Sequence, residues 1–96
     1  MELFIFARFH AREGEEAALA AALGEQVPAA RLEAGCLSIA AHRSIRDPRL
    51  FWIHSCWNSE AAFEVHAELP RTRHFVETVQ RLIDHPFEAT RTHAIA

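Results

Sequence analysis

The tightest constraint on this chain lies in its first ten residues. In ELFIFARFH, residues 2–10, Leu3, Ile5, Ala7 and Phe9 fall on one parity, and Phe4, Phe6 and Arg8 on the other. Successive side chains of a strand point to opposite faces. A strand apolar on both parities is covered on both sides, so any fold for this chain must supply two layers around it.

The remaining segments narrow the choice. After the polar turn Ala11-Arg12-Glu13-Gly14, residues 15–33 place Leu19, Leu23, Val27 and Ala30 on one stripe at helical spacing. Pro28 should kink or tighten the last turns of that helix, and Gly35 should end it. CLSIAAHRS at 36–44 and LFWIHSCW at 50–57 read as strands, with the turn signal RDP between them. So short a connection predicts an antiparallel hairpin. Asn58 and Ser59 are both good helix caps, and Ala62, Phe63 and His66 follow at helical spacing, which starts a helix where the third strand ends. Pro70 interrupts it. Phe75, Val79, Leu82 and Ile83 predict another helix over 71–84, stopped by Asp84-His85-Pro86, and FEATRTHAI at 87–95 reads as a last strand.

The order strand, helix, strand, strand, helix pair, strand predicts an α+β fold of ferredoxin-like type, with a four-stranded antiparallel sheet and helices on one face. With 96 residues the chain has room for one core, so residues 1–96 are expected to form one domain. Helices on one face leave Phe4 and Phe6 uncovered, and a partner subunit, giving a homodimer, is the expected cover.

Composition removes several classes of function. The net charge is −3 and there is no basic run, which argues against nucleic acid as a partner. No apolar run approaches the length needed to span a membrane, and the N-terminus lacks a basic leader, so a soluble, cytoplasmic protein is expected. All ten basic side chains are arginine, which excludes a lysine Schiff base. Cys36 and Cys56 are too few for a disulfide scaffold or a zinc knuckle and read as small buried thiols. The seven histidines include no helical HExxH pair, so no metal is expected.

Taken together, FIFARF, REGEEAAL, RLEAGCLS at 31–38, RDPRLFWIHSCWNSEAAFEVH at 46–66 and RTRHF at 71–75 resemble the antibiotic-biosynthesis monooxygenase family of dimeric α+β barrels. The most specific part is the register of Trp57, the cap, the helix and His66. The resemblance implies a homodimer with a pocket between sheet and helices in each subunit. It also implies oxidation of aromatic rings, quinols or anthrones by molecular oxygen without a bound cofactor, although other members are isomerases or degrade haem. Many members carry Glu two residues before the tryptophan; here that position is Ser55. The haem-degrading relatives carry an asparagine on the first strand, which this chain lacks, and a tryptophan at the position of His66. Haem is accordingly not an expected cofactor.

The candidate site follows from strand parity. Phe51, Ile53, Ser55 and Trp57 share one face of the third strand, and that face leads into the helix bearing Phe63 and His66. An aromatic wall with one titratable group suits a flat phenolic molecule. His66 is the expected base and Trp57, Phe63, Ser55 and His74 the expected substrate contacts, with His54 the next candidate. Arg8 and Arg91, on strands, could bind an acidic substrate or form salt bridges across a dimer. The same pocket would also serve an isomerase or tautomerase, or a ligand-binding dimer without chemistry.

Overall fold

The computed structural model describes residues 1–96 and contains β1 (Leu3–His10), α1 (Glu16–Ala30), β2 (Cys36–Arg43), β3 (Leu50–Trp57), α2 (Glu60–Glu68), α3 (Pro70–Gln80) and β4 (Glu88–Thr92). The strands form one antiparallel sheet in the order β2-β3-β1-β4. This is the ferredoxin-like α+β arrangement expected from the sequence, with the doubly apolar β1 at an inner position. No helix is long and apolar enough to cross a membrane.

The odd residues of β1 and β3 face the helices. Ala7, Phe9, Phe51 and Ile53 pack with Leu19, Leu23, Val27 and Ala30 of α1 and with Val79 of α3 in the larger core. Burying apolar area at roughly 25 cal/mol per Å² is the main force closing these layers. A smaller core at the other end of the sheet joins Leu3, Ile5 and Trp57 to Phe63 and Ala62 of α2. On the opposite face Phe6 stacks on His54 with ring centroids 4.6 Å apart, and the Arg8 guanidinium lies 6.0 Å from the Trp52 ring centroid.

Three boundaries differ from the sequence reading. Helix α1 runs through Pro28 but ends at Ala30, not at Gly35. Leu32 and Glu33 then donate to Ala29 and Ala30, a tightening of the chain by three-residue hydrogen bonds that fits a proline just upstream. Helix α3 stops at Gln80, because the backbone at 82–84 turns to the end of β1: Arg12 donates to Leu82 at 2.8 Å and Asp84 to His10 at 3.0 Å. Strand β4 ends at Thr92, opposite Phe4, where β1 has only one residue left before its own start.

Gly35 has a different role from that of a helix stop. Its φ of +86° is one that L side chains rarely adopt, and a Cβ there would lie 2.6 Å from the Ala62 Cβ and 2.9 Å from Asn58 Oδ1. The bare glycine lets the α1–β2 turn press against the start of α2, where Asn58 donates its N–H to the Gly35 carbonyl at 2.8 Å. That contact carries Glu33, two residues earlier, to the side of α2.

Candidate active site

Helix α2 begins with Ser59, whose hydroxyl accepts from the Ala62 N–H at 3.1 Å. Capping fixes the helix directly after Trp57 and so sets which residues turn inward. His66 does, and it is the one residue of α2 that is buried. Phe63 lies beside it, with centroids 5.7 Å apart, and Trp57 behind it at 4.6 Å. Arg91 of β4 holds this helix in place, pairing with Glu60 and Glu64 while its guanidinium lies 5.1 Å from the Phe63 ring centroid.

The imidazole of His66 has a carboxylate partner that periodicity gave no sign of. Nδ1 lies 2.7 Å from Glu33 Oε1, and Arg71, at the start of α3, donates to Glu33 Oε2 at 2.5 Å. Both members of the pair are largely withdrawn from water, with side-chain exposures of 9% for His66 and 11% for Glu33. An ionised carboxylate can only accept, so Nδ1 carries the proton in the neutral ring and Nε2 is left as an acceptor. Arg71, bonded to the other carboxylate oxygen, holds Glu33 aimed at the imidazole.

His66 lines a cavity of about 230 Å³ between the sheet and the helices. Ile5, Ala7 and Phe9 of β1 form its floor, and Phe63, Phe75 and Val76 close it from the helix side. The polar exceptions in this apolar lining are Gln26, Ser55, His66 and Thr72. An engineered cavity of about 150 Å³ is known to hold benzene, so the volume here suits one or two fused rings.

The expected site residues separate into three positions. His66, Phe63 and Ser55 line the cavity together. Trp57 is fully buried behind them, and its indole N–H donates to Ser55 Oγ at 3.0 Å. His74 faces a separate crevice between α1 and α3, shared with Arg71 and Gln26. His54 lies on the other side of the sheet, against Phe6. Arg91 makes its ion pairs within the chain, to α2, and Arg8 stands over Trp52.

Two further features lie away from this cavity. Near the far end of the sheet, His10, Asp84 and His85 bring possible ligand atoms within 4.8 Å of one another, a cluster that sequence spacing did not reveal because residue 10 and residues 84–85 meet only in the fold. Its atoms hydrogen-bond to each other: Asp84 lies 2.7 Å from His10 Nδ1 and 2.5 Å from His85 Nδ1, with Arg49 at 3.3 Å. Burial pushes both free thiols, Cys36 and Cys56, above their ordinary pKa, which keeps them protonated and poorly nucleophilic.

Comparisons place this geometry among known proteins. Over 97% of its length the chain superposes with a TM-score of 0.92 on 90% of SO0527 from Shewanella oneidensis, at 28% identity. Over 99% it superposes with a TM-score of 0.91 on 95% of PA3566 from Pseudomonas aeruginosa, at 27% identity. Rv0793 from Mycobacterium tuberculosis shares the fold at a TM-score of 0.93 over 100% of this chain and 97% of its own, with 23% identity. A search of curated proteins gives no match. The profile of the antibiotic biosynthesis monooxygenase family matches residues 3–78, which carry β1 through most of α3 and with them Glu33, Trp57, His66 and Arg71. The chain that builds this cavity belongs to the antibiotic biosynthesis monooxygenase family.

Proposed function

We propose that the protein is a cofactor-independent monooxygenase acting on a small aromatic, quinol or anthrone-like substrate, with one or two rings the best match to the cavity. The observation that carries this reading is the Glu33–His66 pair, held at 2.7 Å at the wall of an apolar cavity. Nε2 of His66 takes the acidic proton of the substrate, and Glu33 steadies the imidazolium that results. The electron-rich anion then passes an electron to molecular oxygen, and the two radicals recombine to a peroxide on the ring carbon. The peroxide takes the proton back from His66 and loses water with the hydrogen of the same carbon, leaving a carbonyl: one oxygen atom stays on carbon, the other leaves as water, and the substrate supplies all the electrons.

The open sheet face, with Phe4, Phe6 and Trp52, supports the further reading that two copies pair through it. Sedimentation at twice the chain mass of 10.9 kDa checks this.

The function is tested by following dissolved oxygen and products with naphthalenediols and anthrone. Consumption of one O2 per substrate, with one labelled oxygen atom in the product, is the expected result. A rearranged product without oxygen uptake would make the protein an isomerase instead.

A further inference from the structure

At the His10–Leu50 end of the β1–β3 ladder, the fold gathers metal-ligating side chains from three parts of the chain. His10 closes β1, Asp47 lies in the β2–β3 turn, and Asp84 and His85 follow α3. His10, Asp84 and His85 bring ligand atoms within 4.8 Å of one another. A helical HExxH pair is one way to hold a metal; here the backbone bond from Asp84 to the His10 carbonyl, at 3.0 Å, joins the two histidines by another route.

The cluster divides into groups that would touch an ion and one that orients them. Both imidazoles turn Nδ1 to the Asp84 carboxylate, His10 to Oδ2 at 2.7 Å and His85 to Oδ1 at 2.5 Å. Nε2 of His10 points the other way, to Asp47 Oδ2 at 3.0 Å. A histidine that binds a metal through one nitrogen almost always donates its other N–H to a carboxylate, carbonyl or water, which fixes the tautomer. Asp47 is itself fixed, since its Oδ1 accepts from the Arg49 N–H at 2.9 Å and its own N–H donates to Ser44 Oγ at 3.0 Å.

Zinc bonds of about 2.0 to 2.2 Å set tetrahedral ligands about 3.4 Å apart, so the Asp84 carboxylate must draw back from each ring nitrogen by about an ångström. Side-chain exposures of 32% for Asp84 and 46% for His85 leave both room to do so, while His10, at 19%, stays in place. Arg49, held by the Ala11 carbonyl, reaches Asp84 Oδ2 at 3.3 Å, the longest contact in the cluster and the one that an ion most readily displaces.

We propose that His10 Nδ1, His85 Nδ1 and Asp84 bind one zinc-class divalent ion, with Asp47 orienting His10. Between two carboxylates His10 carries a proton on each nitrogen and has no lone pair until one leaves. The ion takes the place of the Nδ1 protons: that of His10 goes to solvent, and that of His85 moves to Nε2. Water completes the coordination from the concavity of about 490 Å³ that Asp84 and His85 border. Two imidazoles with a carboxylate suit zinc, cobalt or nickel, whereas magnesium and calcium take oxygen ligands. The ion clips the segment after α3 to the end of β1 and takes no part in the oxidation proposed for the cavity.

The test is calorimetric titration of zinc chloride into the full chain, without an added histidine tag, at neutral pH. One zinc per chain is expected, with no uptake of magnesium, and saturating zinc should raise the melting temperature. His10→Gln and His85→Gln should each weaken zinc binding by on the order of tenfold or more, and Asp47→Asn by about tenfold. His66→Gln and His74→Gln should leave it unchanged. His85 is half exposed, so His85→Gln should melt as the wild type does before zinc is added and lose the rise that zinc brings. Equal zinc affinity in the wild type, His10→Gln and His85→Gln would overturn the site, as would a wild type that takes up no zinc at submillimolar concentration. Binding lost in His66→Gln or His74→Gln instead would place the ion elsewhere and overturn it equally.

Discussion

Two histidine–carboxylate clusters stand at opposite ends of the β1–β3 ladder, built from the same chemistry and differing in what surrounds them. At the end marked by the Leu3–Trp57 pairing, His66 uses one ring nitrogen for Glu33 and faces a cavity. At the end marked by the His10–Leu50 pairing, His10 has both nitrogens engaged, Nδ1 by Asp84 at 2.7 Å and Nε2 by Asp47 at 3.0 Å. An imidazole held on both sides joins elements and has no lone pair to offer. One held on a single side is oriented and still able to take a proton. That difference supports the proposed role of His66 as the base, whereas His10 ties the end of β1 to the β2–β3 turn and the segment after α3.

The largest effects should come from the first cluster. His66→Gln is expected to lower oxygen uptake by on the order of 10²-fold or more, and Glu33→Gln by about tenfold, since it leaves the base present but poorly held. His10→Gln should leave turnover within about twofold. Rates of all three, measured with one substrate alongside melting temperatures, either keep the two clusters apart or merge them.

A smaller effect belongs to the second cluster and shows in stability against pH. The hydrogen bonds from Asp84 and Asp47 raise the His10 pKa above its ordinary 6.5. A raised folded-state pKa means that protonated His10 stabilises the fold fully below about 6.5 and that this contribution is lost as pH rises through the raised value. Asp47, through the Arg49 N–H and His10, and Asp84, through His10 and His85, are held below the ordinary 3.8, so their contribution disappears as pH falls below that value. Melting temperature should therefore decline by a few degrees on the alkaline side in the wild type. In His10→Asn that decline should flatten, with the activity profile unmoved.

Periodicity made some of these residues legible and hid others. The inner strand, the α1 stripe and the β2–β3 hairpin follow from alternation, helical spacing and a short connection, and each is present. Phe63 and His66 could be placed because a capped helix directly after a strand fixes their direction. Glu33 could not: it reaches His66 from 33 residues away, through a turn whose closeness depends on the missing side chain of Gly35. Trp57 has the parity of the cavity wall, yet His66 and Phe63 stand in front of it, an ordering in depth that alternation does not encode. Gln26 and Thr72 were passed over because polarity reads as exposure. The ends of α3 and β4 were set by backbone partners on β1, which is a tertiary effect.

The most direct measurement is a long-range proton–nitrogen NMR spectrum of the imidazoles, recorded with and without 1-naphthol. The His66 ring should show its proton on Nδ1 and a bare Nε2 whose resonance moves when the ligand is added, while both nitrogens of His10 stay where they were. A proton on Nε2 of neutral His66, or an Nε2 resonance indifferent to a bound ligand, would contradict its assignment as the base.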